Sequence, residues 1–167
     1  LFRIRTGCPW RDLPQEFGKS NSIFKKYNRW SKNSKFMNIF KLFSQHADKE
    51  WIFIDGSHVR AHQHSAGIKN QSISKSIGGN SSKIHLAIDS NGNPIEFIIS
   101  DGTTHDVKVV PILVEQLDLT NTEIVCMDKG YDSETLREQI KNKSAKANIP
   151  KKSNMKSSND HMDWYLY

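Results

Sequence analysis

A mixed α/β sheet covered by helices, with a small basic helical segment ahead of it, is the fold class that the sequence predicts. Three observations lead there. Apolar residues between 20 and 45 recur at helical spacing among lysines and arginines; from Trp51 the pattern switches to short continuous or alternating apolar runs; and beyond residue 110 helix-period and strand-length segments take turns. With 167 residues the chain has the length for one medium domain, or for one domain and a small appendage, and either can bury a core. A hydrophobic share of 36% and a mean hydropathy of −0.64 are polar for a globular protein. Eight Phe, four Trp and four Tyr nevertheless set the composition apart from that of a disordered chain.

In "SNSIFKKYNRWSKNSKFMNIFKLFSQ", Ile23, Phe24, Tyr27 and Trp30 share one helical face, and Phe36, Ile39, Phe40 and Phe43 share another. Ser20 or Ser22 and Ser34 fit as N-caps. Two short amphipathic helices with basic outer faces suit a small DNA-binding module, and equally a helical cap on the domain that follows. "WIFID" reads as a strand covered on both faces, closing in Asp55-Gly56 with alternation resuming through Val59 and Ala61. "SAGIKNQSISKSIGGNSS" is too long for a simple turn and reads as a mobile or ligand-contacting loop. "KIHLAID" and "IEFIIS" alternate at period two around "SNGNP", where Asn91-Gly92 signals a hairpin. A helix is predicted over Val110 to Leu117 with Pro111 in its first turn, followed by a strand in "EIVCMD". A further helix covers "SETLREQIKNK", capped by Asp132 or Ser133 with Leu136 and Ile140 facing inward, and "KANIP" is a last strand.

The formal charge of +6 is unevenly distributed. Residues 1–47 carry a net +8, residues 48–140 a net −6 and residues 141–167 a net +4. An acidic middle between basic ends fits a site that collects carboxylates, flanked by surfaces able to neutralise phosphates; ordinary solvated surface is the plainer reading. Cys8 and Cys126 are too few and too far apart for a disulfide framework or a cysteine-based zinc site, which points to a reducing compartment. No segment approaches the roughly 20 apolar residues of a membrane span, and no signal-peptide core is present at the start, so no membrane partner and a cytoplasmic location are expected. The chain opens at Leu1 without Met and stops inside the aromatic run "MDWYLY", which suggests a piece of a longer protein.

Asp55 and Asp128 each close an apolar strand, and if those strands are adjacent and parallel the two carboxylates meet at one sheet edge. Acids held there can bind Mg²⁺ for phosphoryl transfer, with paired ions lying about 3.5–4 Å apart. Each Asp can equally start a turn, as Asp-Gly and Asp-Lys-Gly often do. Asp106 fits a helix cap or a position near the site, and Asp132 fits a cap better than a ligand. His58, His62 and His64 fall on one side of an extended strand with Arg60; a transition-metal site, phosphate contact by His58 and Arg60, and a plain exposed face all remain open.

Several stretches, in order, resemble the motifs of bacterial DDE-type insertion-sequence transposases, closest to the insertion-sequence-five family. They are "TGCPWRDLP" with a following Phe-Gly, "YNRW", "IDGSHVRAHQHSAG", "GGNSSKIHLAIDSNGNP", "THD", "MDKGYDSETLR" and "IPKKSN". The resemblance covers nearly the whole chain. It implies a ribonuclease-H-like mixed sheet with flanking helices (residues 48–167), preceded by a helical domain (residues 1–47) that helps bind terminal inverted repeats. It implies that Asp55 and Asp128 are the first two catalytic acids and, with a glutamate, hold two Mg²⁺ ions. Hydrolysis at the transposon end would then be followed by attack of the freed 3′-hydroxyl on target DNA. Arg60, Lys75, Lys83, Lys129, Lys151 and Lys152 are candidate DNA contacts, and a homodimer on DNA is the expected assembly.

The sequence departs from the family in two places. The loop before "KIH" is "SKSIGG", with Lys75 and Ile77 where arginines are usual. The family's glutamate lies beyond the Tyr-rich segment where these residues stop, and neither Asp160 nor Asp163 takes its place. An inactive polypeptide is therefore expected. A non-catalytic remnant that occupies inverted repeats is the rival reading, favoured by the basic first 47 residues and by six Lys without an acid between Lys141 and Lys156. A third is a remnant that barely folds because part of its sheet is uncovered.

Overall fold

The structure, a computed structural model, describes residues 1–61, 72–76, 79–152, 159 and 162–167. The chain divides into two compact units, Leu1–Phe43 and Ser44–Tyr167. The first contains α1 (Phe2–Thr6), two short 3-10 turns (Trp10–Asp12 and Gln15–Phe17), α2 (Ser20–Lys32) and most of α3 (Lys35–Ser44). Its rings cluster while staying partly exposed, with Phe24, Tyr27 and Phe36 each about 40% accessible. The Trp10 ring lies 5.5 Å from Phe24 and 5.1 Å from Tyr27, Phe36 stacks beyond Tyr27 and Trp30, and the Arg3 guanidinium sits 4.4 Å over Trp10. The cap predicted for α2 is displaced: the helix starts at Ser20 itself, with Lys19 at the N-cap and no side-chain cap bond, whereas Ser34 directly precedes α3 as predicted. Ser34, in the left-handed region at φ 53°, separates α2 from α3, and its carbonyl accepts the Asn38 amide.

In the second unit β1 (Trp51–Arg60) pairs antiparallel with β3 (Gly79–Asp89), and β3 with β4 (Pro94–Asp101). The chain then crosses through α4 (Asp106–Gln116) to β5 (Ile124–Met127), parallel to β1, and through α5 (Glu134–Asn142) to β6 (Lys146–Asn148), parallel to β5. A short β2 (Ser74–Ser76) adds to the start of β3 inside the stretch read from sequence as a loop. The order β4-β3-β1-β5-β6, antiparallel on one side and parallel on the other, is that of the ribonuclease-H-like sheet that the resemblance implies.

Helices α4 and α5 pack on the same face of this sheet. Val110, Leu113 and Val114 of α4 and Leu136 and Ile140 of α5 form one core with Ile52, Ile54, Ala87, Val125 and Met127. The opposite face is less covered among the described residues: Phe53, Leu86 and Ile88 are half-buried, so the apolar run "WIFID" is sealed by helices on one side only. Strand β3 inverts the usual pattern. Its polar residues Ser81, Lys83, His85 and Asp89 lie buried on the helix side, while Ile84, Leu86 and Ile88 face the other way. Burial is tolerated because each of Lys83, His85 and Asp89 has a partner, described below.

Two predicted boundaries move. α4 begins at Asp106, four residues before the predicted start, so Pro111 lies inside the helix and leaves the Val107 carbonyl without its amide donor. The hairpin at Asn91-Gly92 forms, but only Gly92 is left-handed (φ 81°), and the connection spans residues 90–93 instead of a two-residue turn. Asp89 organises it. Its carboxylate accepts the Asn91 and Asn93 amides at 2.9 and 2.7 Å, the Asn93 side chain at 2.9 Å and the Asp48 amide at 3.1 Å.

Candidate active site

Parallel strands that end together bring the residues after them to one edge. Here Trp51 pairs with Ile124 and Ile54 with Met127, so the next step in both strands is Asp55 beside Asp128. Neighbouring strands lie about 4.8 Å apart, which puts the two carboxylates within reach of one cation. Alternation sends Asp55 to the face away from the helices, because Ile52 and Ile54 are buried toward them. Both acids line a cleft of about 410 Å³ with Ser57, Leu86, Leu166 and Tyr167.

The turn-forming alternative has a partial answer. Asp128 does precede a 3-10 turn (Lys129–Tyr131), and its carbonyl accepts the Tyr131 amide at 3.0 Å, but its side chain makes no cap bond. Its Oδ1 accepts instead from the Tyr167 hydroxyl at 3.4 Å. Burial, the Asp128 charge and that hydrogen bond raise the Tyr167 pKa above the ordinary tyrosine value. Asp55 Oδ1 accepts the Gly56 amide at 2.7 Å. Among the described residues neither carboxylate has an ion-pair partner, and no group of three His, Cys, Asp or Glu is arranged around one point.

The other candidates lie in different places. Lys129 follows Asp128 and is exposed. Lys151 and Lys152 follow β6, where the Lys152 amide is held by Asp132 and Lys151 lines a separate groove with Arg137, Lys141 and Lys146. Arg60 and His58 are exposed on β1 but share the side of Ile52 and Ile54, opposite Asp55, and Lys75 is exposed on the short β2. Lys83 is 8% exposed and its ammonium pairs with Asp106, so it is not free to meet a phosphate at the surface. His62, His64 and Ile77 lie outside the described residues.

Asp106 is neither a cap nor part of the acid pair; it sits in the first turn of α4 behind an N-cap at His105 and faces Lys83 and His85. Asp132 is not a cap by hydrogen bonding either. It accepts Arg137 Nη2 at 2.7 Å and the Lys152 amide at 2.9 Å, fastening the segment after β6 to the start of α5. Burial raises its pKa, and the bond from Arg137 and the Lys152 amide outweigh that and hold it below the usual carboxylate range. Sequence reasoning overlooked Tyr131 and His85. Tyr131 is 4% exposed, and burial together with the charges of Asp106, Asp55 and Asp128 raises its pKa strongly. The alternation of "KIHLAID" carried the only sequence signal for His85, and it pointed to the wrong face.

Residues 46–162 match the family described as "Transposase DDE domain", and residues 1–40 match that described as "Putative transposase of IS4/5 family". A curated relative, "Uncharacterized protein y4sN" of Sinorhizobium fredii, is 38% identical over 69 residues, which are 41% of this chain and 55% of the relative. The chain thus spans about half the length of that relative. Two solved structures are similar at low identity. One is the cryo-EM structure of the piggyBac transposase synaptic complex with hairpin DNA (18% identity, 81% of this chain, 31% of that chain, TM-score 0.44). The other is the Mos1 transposase paired-end complex with left transposon end (9% identity, 87% of this chain, 55% of that chain, TM-score 0.41). With more than half of its residues inside the first match, and two acids ending adjacent parallel strands there, the chain belongs to the transposase DDE domain family.

Proposed function

We propose that the chain is part of a transposase that cuts and rejoins DNA at the ends of an insertion sequence, with Asp55 and Asp128 as its first two metal-binding acids. The parallel register that brings these residues side by side carries the reading. Carboxylates without basic partners are hard oxygen donors suited to Mg²⁺, which is commonly held through one or two carboxylates plus substrate phosphates. When bound, Mg²⁺ supplies Lewis-acid activation of the attacking oxygen and offsets charge on the phosphoryl oxygens. Asp55 and Asp128 orient that cation on rigid strand ends. Lys129 holds the DNA backbone next to the acids, and Lys151, Lys152, Arg60 and Lys75 contact it elsewhere on the unit. Residues 1–47 bind terminal inverted repeats, and two copies on DNA bring the two ends together in the cytoplasm.

By family resemblance a glutamate completes the site, and two ions need that third acid. The 167-residue polypeptide is therefore proposed to bind repeat DNA without cleaving it. Incubation with Mg²⁺ and a duplex carrying the terminal repeat is expected to give binding but no nicking. Nicking that disappears in Asp128→Asn would overturn the inactivity and leave the acid pair standing. Binding that shows no preference for repeat ends over random duplex would count against the transposase reading itself. Its strength should also fall with salt at a log–log slope of about −0.9 per phosphate contact.

A non-catalytic occupant of inverted repeats is the second reading, and the first unit favours it. Its aromatic rings contact one another, and it carries most of the excess positive charge of the chain.

A further inference from the structure

Behind the acid pair, on the helix side of the sheet, lies a polar cluster that no part of the proposed chemistry uses. Lys83 Nζ pairs with Asp106 Oδ1, and His85 Nδ1 stands 3.5 Å from the same oxygen while its Nε2 lies 2.9 Å from Ser100 Oγ. Lys83, His85 and Tyr131 are 8%, 0% and 4% exposed. The Lys83 and Asp106 side chains are 11% and 29% exposed, so one ion of the pair is largely desolvated; that has a cost, and an apolar replacement of similar volume is often no less stable. Stability alone therefore gives a weak account of this cluster.

Its location suggests a better one. The cluster converges on Gly56, the residue after Asp55. A Cβ built there would lie 2.9 Å from Lys83 Cε, 3.0 Å from the Tyr131 hydroxyl and 3.5 Å from Asp106 Oδ1. The first two are closer than ordinary side-chain contact and the third is ordinary van der Waals contact, so the bare Gly56 backbone lets Lys83 and Tyr131 pack tightly on the end of β1 with Asp106 beside them. Strand pairing brings in the fourth, since His85 is the cross-strand partner of Gly56. The two chain segments that must be aligned are both touched. Lys83 and His85 belong to β3, which holds β1, and Tyr131 ends the turn that begins at Asp128. The Tyr131 hydroxyl also feels the charges of Asp55, Asp128 and Asp106 together.

We infer that Lys83, His85, Asp106 and Tyr131 are positioning residues that fix the end of β1 against the turn after β5, and so set Asp55 relative to Asp128 for cation binding. The inference rests on the acid-pair reading above. It also assigns Lys83 to alignment of the site and not to DNA.

Mg²⁺ titration of the 167-residue chain, followed through the Asp55 and Asp128 amide resonances alongside the melting temperature, tests it. Asp106→Asn strands the Lys83 charge and should lower the melting temperature. Adding Lys83→Met removes that charge and should restore much of the loss, whereas the Mg²⁺ dissociation constant of the double variant should stay about tenfold weaker, as for lost outer-shell partners elsewhere. Tyr131→Phe deletes one oxygen and should weaken Mg²⁺ binding with a melting temperature near that of the wild type. A folded double variant with wild-type Mg²⁺ affinity overturns the inference; if that variant does not fold, wild-type affinity in Tyr131→Phe does so. A wild-type chain whose Mg²⁺ response is the same in Asp55→Asn overturns the acid-pair reading, and this inference with it.

Discussion

Asp89 is 1% exposed and accepts four hydrogen bonds, three from the hairpin beside it and one from the Asp48 amide. Removing a buried acceptor leaves those donors unmet, and bonds to a charged group are each worth about 1.5–3 kcal/mol. Asp89→Ala should therefore destabilise the second unit by about 3 kcal/mol or more in urea unfolding. Burial pushes the Asp89 pKa up, but the bonds from Asn93, Asp48 and Asn91 prevail and hold it below its ordinary value. His85 is also lowered, first by burial and then by Lys83 and His58, against the opposing pull of Asp106.

The signs of the two shifts give one acid profile. A histidine with a depressed folded pKa binds more protons unfolded, so stability falls as pH drops below the unfolded value of about 6.5. Carboxylates with depressed values stabilise above their unfolded pKa of about 3.9 and lose that contribution as pH falls further. The melting temperature should thus decline in two stages, with the upper one absent in His85→Gln; a flat profile from pH 7.5 to 5.5 would contradict this assignment. Asp55 and Asp128 could be singled out in sequence because each ends an apolar run, a local signal. The buried setting of Lys83, read from sequence as a DNA contact, and of His85 could not be seen there, because it depends on Asp106 and Tyr131, residues brought to them only by the crossover through α4 and β5.

At the scale of elements, α5 is held by a short apolar stripe. Leu136 and Ile140 are 2% and 0% exposed, and Ile140→Ala should cost about 2–5 kcal/mol by opening a cavity beneath the helix. The joint between α4 and α5 is polar. Gln139 donates to the Pro111 carbonyl at 2.8 Å, and Lys143 Nζ donates to the carbonyls of Glu115 and Leu117, closing the end of α4. None of these bonds reaches the Val107 carbonyl that Pro111 leaves without its helical donor; the rule that places proline in the first turn set the start of α4 too late because this helix carries its proline at the sixth residue. The alternating and apolar runs gave β1, β3, β4 and β5 because strand burial follows local pattern. β2 escaped notice, since three residues of "SKS" carry no such pattern and its pairing with β3 decides it.

Asn148, fully buried, closes β6 and clasps the last described segment. Its side chain donates to the Asp163 carbonyl at 3.0 Å and accepts the Asp163 amide at 2.8 Å. Leu166 and Tyr167 line the acid cleft beyond it. Asn148→Ala should release this segment, seen as stronger iodide quenching of Trp164 in a background without the other tryptophans. Unchanged quenching would show that the clasp does not hold Tyr167 beside Asp128.

For the molecule as a whole, the two units differ in how they are held together. The second has a continuous core from Ile52 through Ile149, whereas in the first no residue of Leu1–Phe43 is fully buried. A domain of that size buries little surface even when well packed. Residues 44–167 are expected to melt cooperatively alone, and residues 1–43 alone to show a broad transition without a baseline. Cooperative melting of the isolated first unit would contradict that expectation.

Sharing of one divalent cation by Asp55 and Asp128 is tested most directly with Mn²⁺, a paramagnetic stand-in for Mg²⁺. Titrating Mn²⁺ into the labelled chain should broaden the amide resonances of Asp55, Gly56, Asp128 and Lys129 first, and excess Mg²⁺ should reverse the effect. The Asp55→Asn/Asp128→Asn double variant should abolish it. Broadening centred elsewhere, or equally strong in the double variant, would contradict the account.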